Sequence, residues 1–444
     1  MLITKIPVHK GNNFLGISTG FLRNPALFTI EEGLAKGDFY KVTLPGYNLF
    51  IVTDPEILHH IMIANESSYE KSKMYWKQLR AIIGRAMGSL EGDDWLFLRT
   101  LQSPFFTKTK VRAYLSDVAE ISRKHLDHWQ VGEGKEIDAL RLFSRMNTEI
   151  ILKTIFGLDA AETYEQIAVK IGDGQETISW RSQFPWRPLT GWLNGRNQRA
   201  QKHLLFFDDY CAKSILKAKS EENFKADKNL LNRLIDEPNL SQKDIRNELI
   251  VHLGASTETA AVGEAWALYL LARHPKVLNK VRAEISRVTG DKALKGEHTY
   301  QLNYTEQVIK ESMRLYPPSY ASLRDCIEED EIQGVKIKKG DSFFISLFAL
   351  HRHPKYWEQP DEFIPERFDP ENKTPVPSNC YHPYGVGKHH CIGRYFATPM
   401  MVLTIAQICR HFDFEWMEKG HKHPLSLSTL KPKNGMVMRF TKRT

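Results

Sequence analysis

From Asp38 to Val52, apolar and polar residues alternate with a period of two around Pro45-Gly46, which predicts a β-hairpin. Asp54-Pro55 then opens a helix running toward Ile63. Between Lys110 and about Phe156 the apolar spacing is helical, interrupted near Gly132 and Gly134. The stretch from Trp180 to Gly195 is rich in Trp, Pro and Arg without a clear period and predicts a loop, either over a binding site or as an ordinary surface connection. The sharpest start signal follows: Ser241 can cap the amide of Asp244 while Leu240 staples onto Ile245. No proline interrupts until Pro275, so a helix of roughly thirty residues, about 45 Å long, is allowed. After Ile250 it is apolar around much of its circumference, the pattern of a helix through the middle of a molecule. Amphipathic helices are predicted from Pro275 to Gly290, from Tyr304 to Leu315 and from about Arg394 to His411. A strand-rich region spans Ile332 to Leu350, with turns at Gly334 and Gly340. With no internal repeat and no separating linker, the expected fold is mainly α with minor β regions, a single domain over residues 1–444.

Composition narrows the class of protein. The 444 residues are 42% hydrophobic and 26% charged, enough for a large core and unlike a disordered or fibrous chain. The net charge of +8 is compatible with nucleic acid, an acidic membrane surface or an acidic protein. Its lysines and arginines are dispersed along the chain, so no nucleic-acid partner is expected. The five cysteines (Cys211, Cys326, Cys380, Cys391 and Cys409) are odd in number and irregularly spaced, which does not read as a disulfide framework. Residues Met1 to Gly20 contain neither a signal-peptide core nor an apolar run long enough to cross a bilayer. The expectation is a soluble, cytoplasmic monomer in a reducing compartment.

The strongest chemical signal is Tyr384-Gly-Val-Gly-Lys-His-His-Cys-Ile-Gly393. Glycines allow a tight loop whose amides can face a sulfur, and the helix that follows adds positive potential that favours a thiolate. Such a soft donor suits a metal, and a single thiolate is what haem-based oxygen activation requires. Two blander readings stand beside this one. Cys391 could be an ordinary buried thiol, or Cys380, His382, His389, His390 and Cys391 could form a small metal site, although their spacing matches no common zinc pattern.

Motifs elsewhere bear on that choice. The sequence resembles the cytochrome P-450 superfamily, whose cysteine loop has the form Phe-Gly-x-Gly-x-Arg-x-Cys-x-Gly. Here Tyr384 replaces the phenylalanine and His389 the arginine. Glu311-Ser-Met-Arg314 matches the family's Glu-x-x-Arg helix, and Pro365-Glu-Arg-Phe368 the segment whose arginine completes a Glu-Arg-Arg triad, here Glu311, Arg314 and Arg367. Trp95 and Arg99 match its Trp-x-x-x-Arg helix. Each motif alone is weak, since a Glu-x-x-Arg pair is often a surface ion pair; together and in family order they are strong. The resemblance implies haem b between a long central helix and the cysteine-loop helix, with Cys391 as the axial iron ligand. It implies that Trp95, Arg99, Arg324, Tyr384, Gly385, His389, Ile392 and Ala397 bind the cofactor, and that the triad holds the loop rather than taking part in catalysis.

Midway along the long helix, Gly254-Ala-Ser-Thr-Glu-Thr-Ala260 aligns with the family's Ala-Gly-x-Asp/Glu-Thr-Thr segment, with Ser256 in place of its usual glycine. The resemblance makes Thr259 and Glu258 the catalytic alcohol and acid: Thr259 holds a water, and Glu258 connects it to solvent for proton delivery. Without the resemblance, these are three hydroxyl residues satisfied inside a buried helix. Glu248, His252, Ala255 and Thr259 share one helical stripe. His252, Ala255, Thr259 and Trp180 are the expected substrate contacts, with Arg181, Trp186, Tyr75, Trp76 and Gln78 in other variable regions. A histidine on the stripe points to a polar, oxygenated small molecule, for which hydroxylation or oxidative O-demethylation of a methylated sugar is the expected reaction. A fatty acid or terpenoid hydroxylase is the alternative; in the bland reading His252 bonds a neighbouring side chain and the tryptophans belong to the core.

The chain ends at Thr444 with no flavin or nucleotide domain, so electrons are expected from external NAD(P)H through ferredoxin reductase and ferredoxin. Lys388, His390, Arg394, Lys108, Lys110 and Arg112 would offer such an acidic partner a basic face, or would simply be solvated. Two other classes remain: a haem sensor or electron carrier that does not turn over, and a zinc or structural protein.

Overall fold

A computed structural model describes residues 6–11, 18–44, 47–129, 136–160, 162–182, 195–222, 224–417 and 424–443. It is mainly helical with small sheets, and the chain divides into two compact units. The first comprises Met1–Met74, Lys310–Cys391 and Lys422–Lys433; the second Tyr75–Ile309, Ile392–His421 and Asn434–Thr444.

The first unit is built on a six-stranded sheet in the order Val8–His9, Phe39–Leu44, Tyr47–Val52, Ser342–Ser346, Ala321–Cys326, Tyr69–Lys71. The predicted hairpin pairs Phe39 with Val52 and Leu44 with Tyr47; its Pro45-Gly46 turn lies outside the described residues. Its second strand runs parallel to Ser342–Ser346, Leu49 opposite Ser342, and Phe50 stacks on Phe343 at 5.1 Å. Strands Asp330–Ile332 and Val335–Ile337 form a hairpin in which Gln333 and Gly334 both have positive φ, as a two-residue turn demands. The predicted strand region ends earlier than Leu350: Leu347–Leu350 is a helical turn, because Ser346 caps the amide of Ala349. Asp54 accepts from Glu56 and Ile57, starting Pro55–His59, and a wide turn carries the chain on to Ala64.

The second unit surrounds the helix Gln242–Arg273, 32 residues and about 48 Å long. Ser241 Oγ accepts from the Asp244 amide at 3.2 Å, and Asp244 Oδ2 accepts from the Ser241 amide at 3.0 Å. This reciprocal cap is the predicted start. From Ala260 to Leu271 every residue is buried, which explains the apolar circumference. Ala139–Thr154, Arg196–Ser220, Tyr164–Ser182 and Arg394–His411 pack around it. Trp180 to Ser182, predicted as loop, close the helix Tyr164–Ser182; residues 183–194, Trp186 among them, and Gly132 and Gly134 lie outside the described residues.

One polar contact inside this bundle has a thermodynamic consequence. Glu264 is fully buried; its Oε1 accepts from Thr404 Oγ1 at 2.5 Å and its Oε2 from Asn147 Nδ2 at 2.8 Å. Among the described residues no cation offsets the desolvation, so the carboxyl is pushed up to about 8 despite its two hydrogen bonds. Asn147 Oδ1 is buried with no partner among the described residues, and turning that amide over would place it against a protonated Oε2. The folded state therefore holds a proton that the unfolded chain releases above about pH 4.5. Stability should fall as pH rises from about 4.5 to 8, by up to about 1.4 kcal/mol per pH unit, and level off above. Denaturant unfolding at stepped pH checks this, and Glu264→Gln should flatten the slope.

Candidate functional site

In the first unit, the segment leading to Cys391 is shaped by backbone contacts that only glycine permits. Gly385 and Gly387 have φ of 67° and 73°. A Cβ on Gly387 would stand 1.9 Å from the Met62 carbonyl oxygen, so the loop presses directly on the His60–Ala64 turn. The Cys391 amide donates to the Tyr384 carbonyl at 2.8 Å, closing the loop, and the Lys388 amide donates to Glu66 Oε2 at 3.1 Å. Cys391 is exposed, whereas Cys211, Cys326, Cys380 and Cys409 are buried. Burial pushes those four thiols up, to about 11 for Cys211 and Cys326 and about 12 for Cys380 and Cys409. Among the five cysteines Cys391 alone therefore offers an accessible thiol, and the loop geometry fits a group carried by one sulfur. Tyr384, Gly385 and His389 are half-buried in the same loop. Arg324 is buried on strand Ala321–Cys326, its Nη1 donating to the Leu323 carbonyl at 2.8 Å.

The predicted triad is assembled. Arg314 Nε and Nη2 reach Glu311 Oε2 and Oε1 at 2.7 and 2.9 Å, and Arg367 Nε reaches Glu311 Oε1 at 3.3 Å. Glu311 Oε1 also accepts from the Ile364 amide at 3.0 Å.

In the second unit, Trp95 and Arg99 lie one turn apart on Gly92–Gln102. Trp95 is buried with Met87, Leu90 and Leu98, and Leu240 and Ile392 pack against them. Ile392 precedes the helix Arg394–His411, in whose first turn Ala397 donates its amide to the Gly393 carbonyl at 2.9 Å. On the central helix, Glu258 is buried and Thr259 half-buried. Three hydroxyls bond backward as expected: Ser256 to the His252 carbonyl, Thr257 to Leu253 and Thr259 to Ala255, at 2.6, 2.7 and 2.6 Å. Gln175 Nε2 donates to the Gly254 carbonyl from the neighbouring helix, a contact the sequence did not reveal.

His252 is placed differently from its expected role. Its ring is buried, stacked on Phe106 at 5.6 Å and edge-on to Phe156 at 5.9 Å, with Nε2 hydrogen-bonded to Gln102 Oε1. Burial, reinforced by the Arg99 charge, pushes the imidazole down to about 4. Ala255 is exposed on the same stripe, and Trp180 carries the Arg196 guanidinium over its ring at 5.3 Å. Lys108 and Arg394 both stack on exposed Tyr395, at 5.2 and 4.8 Å, and Arg112 on Tyr300 at 5.1 Å. Gln102 was overlooked; the available signal was a polar residue three places after Arg99 and seven after Trp95, on their helix face.

These are surroundings expected of a haem-thiolate oxygenase. The cytochrome P450 family model matches residues 23–439, and the chain belongs to that family. It is 28% identical, over 99% of its length and 77% of the relative's, to Protein LUTEIN DEFICIENT 5, chloroplastic, of Arabidopsis thaliana. It is 26% identical to Cytochrome P450 3A41 of Mus musculus over 99% of this chain and 91% of the relative. To Cytochrome P450 97B2, chloroplastic, of Glycine max it is again 26% identical, over 97% and 85%. The protein is thus a haem-dependent monooxygenase that draws NAD(P)H electrons through redox partners and acts on a small molecule. Among the described residues no helix is long and apolar enough to cross a membrane.

Replacing Glu311 by alanine leaves the Arg314 and Arg367 guanidiniums without their shared carboxylate. The expected cost is roughly 3–5 kcal/mol, seen as a lowered Tm together with loss of bound haem, rather than a slower reaction at normal haem content.

Proposed function

We propose that this monooxygenase hydroxylates an apolar substrate of the terpenoid or fatty acid class, and that the Cys391 thiolate would hold the iron of haem b. Trp95, Arg99, Arg324, Tyr384, Gly385, His389, Ile392 and Ala397 would help hold the haem, the guanidiniums and the imidazole by pairing with its carboxylates. Haem bound there supplies reductive activation of dioxygen. The chain's own work is to hold and move protons: Thr259 keeps a water in place, and Glu258 feeds it from solvent. The triad of Glu311, Arg314 and Arg367 keeps the loop in shape. The whole chain acts as one haem domain, a cytoplasmic monomer served by a ferredoxin and its reductase, with Lys108, Arg112, Lys388, His390 and Arg394 as basic contacts.

The observation that carries the substrate reading is the satisfaction of the central stripe from within. His252 Nε2 is bonded to Gln102, the hydroxyls of Ser256 and Thr259 to carbonyls of their own helix. That leaves the Ala255 methyl as the exposed feature of the stripe. An apolar partner matches such a surface better than the methylated sugar that a solvent-facing histidine would favour. The relative named for lutein, a terpenoid, lends the same direction.

Two experiments test this. Titrating the oxidised protein with terpenoids, fatty acids and methylated sugars should move the Soret band only with the apolar ligands; a shift confined to the sugars would overturn the assignment. Thr259→Ala should leave NAD(P)H consumption running while product per NAD(P)H falls by ~10²-fold, the lower end of what a lost proton-transfer group costs.

A further inference from the structure

Gln102 is the last residue of the helix Gly92–Gln102 and is fully buried. Its amide bridges two residues one turn apart on the central helix. Nε2 donates to Glu248 Oε2 at 3.0 Å, and Oε1 accepts from His252 Nε2. Glu248, equally buried, also accepts from the Met87 amide at 2.7 Å. Each partner fixes the next: with the amide nitrogen turned to the carboxyl group, the amide oxygen must face the imidazole, so His252 carries its proton on Nε2. Phe106 and Phe156 hold the ring plane. The bridge joins the helix bearing Trp95 and Arg99 to the one bearing Glu258 and Thr259, and the Ser256 hydroxyl on the His252 carbonyl carries it a further turn along.

We infer that Gln102 is a positioning residue, setting the register between the helix of Trp95 and Arg99 and the helix that delivers protons. This rests on the proposed roles of those four residues. Apolar packing alone lets two helices slide by a fraction of a turn at little cost, whereas a buried amide with both ends engaged permits one register. Misplacement by a fraction of an ångström at the reacting groups is what uncouples electron use from product.

The test uses two variants of the whole protein with its redox partners. Gln102→Leu keeps the volume but leaves Glu248 and His252 without the amide; product per NAD(P)H should fall by about tenfold, and the electron paramagnetic resonance of the ferric haem should broaden into more than one species. The exchange Gln102→Glu with Glu248→Gln preserves every bond. The new amide at 248 accepts from Met87 and donates to the new carboxylate at 102, which accepts from His252. Coupling and a single resonance should return. The exchange adds a signature that mere stability would not: a carboxylate now touches His252 directly, where in the parent protein the Glu248 carboxylate lies 4.0 Å away and Arg99 opposes protonation, so the imidazole titrates at higher pH and coupling gains an acidic limb absent from the parent protein. Unchanged coupling in Gln102→Leu overturns the inference, as does an exchange variant that binds haem but stays uncoupled. If Gln102→Leu loses haem, the exchange variant decides alone by the same two readouts. Failure of the underlying haem-thiolate reading shows up separately, as a parent protein whose reduced carbon-monoxide spectrum is of the histidine type.

Discussion

A guanidinium buried away from water must find an acceptor for each of its five N–H bonds, and in Arg314 all five are met. Nε and one hydrogen of Nη2 go to Glu311, the other hydrogen of Nη2 to the Glu362 carbonyl, and Nη1 to the carbonyls of His351 and Pro360. The same guanidinium lies over Trp357 at 5.0 Å. Because none of these bonds can be exchanged for water, the helix carrying Arg314 and the irregular chain from His351 to Glu362 have one relative arrangement. That rigidity extends toward the cysteine: the His382 amide donates to His351 Nε2 at 3.0 Å, and Tyr381 Oη donates to the Lys310 carbonyl at 2.9 Å. Segment 377–391 has almost no regular secondary structure of its own, so its shape is borrowed from this cluster and from the contact of Gly387 with Met62.

The second unit solves a related problem with neutral groups. Its central helix buries Glu248, His252, Glu258 and Glu264. Amides and hydroxyls rather than cations meet Glu264 and the pair of Glu248 and His252. Asn147 and Thr404 serve the first; Gln102 and the Met87 amide serve the second. An amide has separate donor and acceptor ends, so it imposes register where a mobile lysine would not. The central helix is thereby pinned along its length to Gly92–Gln102, Ala139–Thr154 and Arg394–His411, the elements that carry or adjoin the site residues.

Local rules made much of this legible in advance. The cap at Ser241, the hairpin from Phe39 to Val52, the helix after Cys391 and the backward-bonded hydroxyls depend on residues within a few positions of one another, which periodicity and capping describe well. The triad was legible through family motifs. What stayed hidden depends on separation along the chain. Nothing local announces that Leu49 lies beside Ser342, that Gln102 meets His252, or that Glu264 meets both Asn147 and Thr404. The end of the strand region was misjudged for a smaller reason: apolar residues run on past Ser346 in sequence, while the Ser346 side chain starts a helical turn.

His252 shows why a polar residue on a buried helix is a poor guide to a ligand. From the sequence its ring had two uses, a substrate or a neighbour, and helical spacing could not separate them. The distinction lies in free energy. An imidazole left in an apolar pocket to await an occasional ligand costs 1–3 kcal/mol whenever that ligand is absent, whereas a permanent amide partner removes the cost in every state. Selection for a stable resting protein therefore favours the internal partner, unless ligand binding returns more than the penalty. With Gln102 in place the ring has a permanent partner, and on the proposed reading discrimination among substrates falls to shape and apolar area along the Ala255 side of the helix. Apolar pockets separate ligands by only about 1–3 kcal/mol per methylene, so the proposed reading implies that a broad set of related apolar molecules competes for the site rather than one uniquely recognised compound.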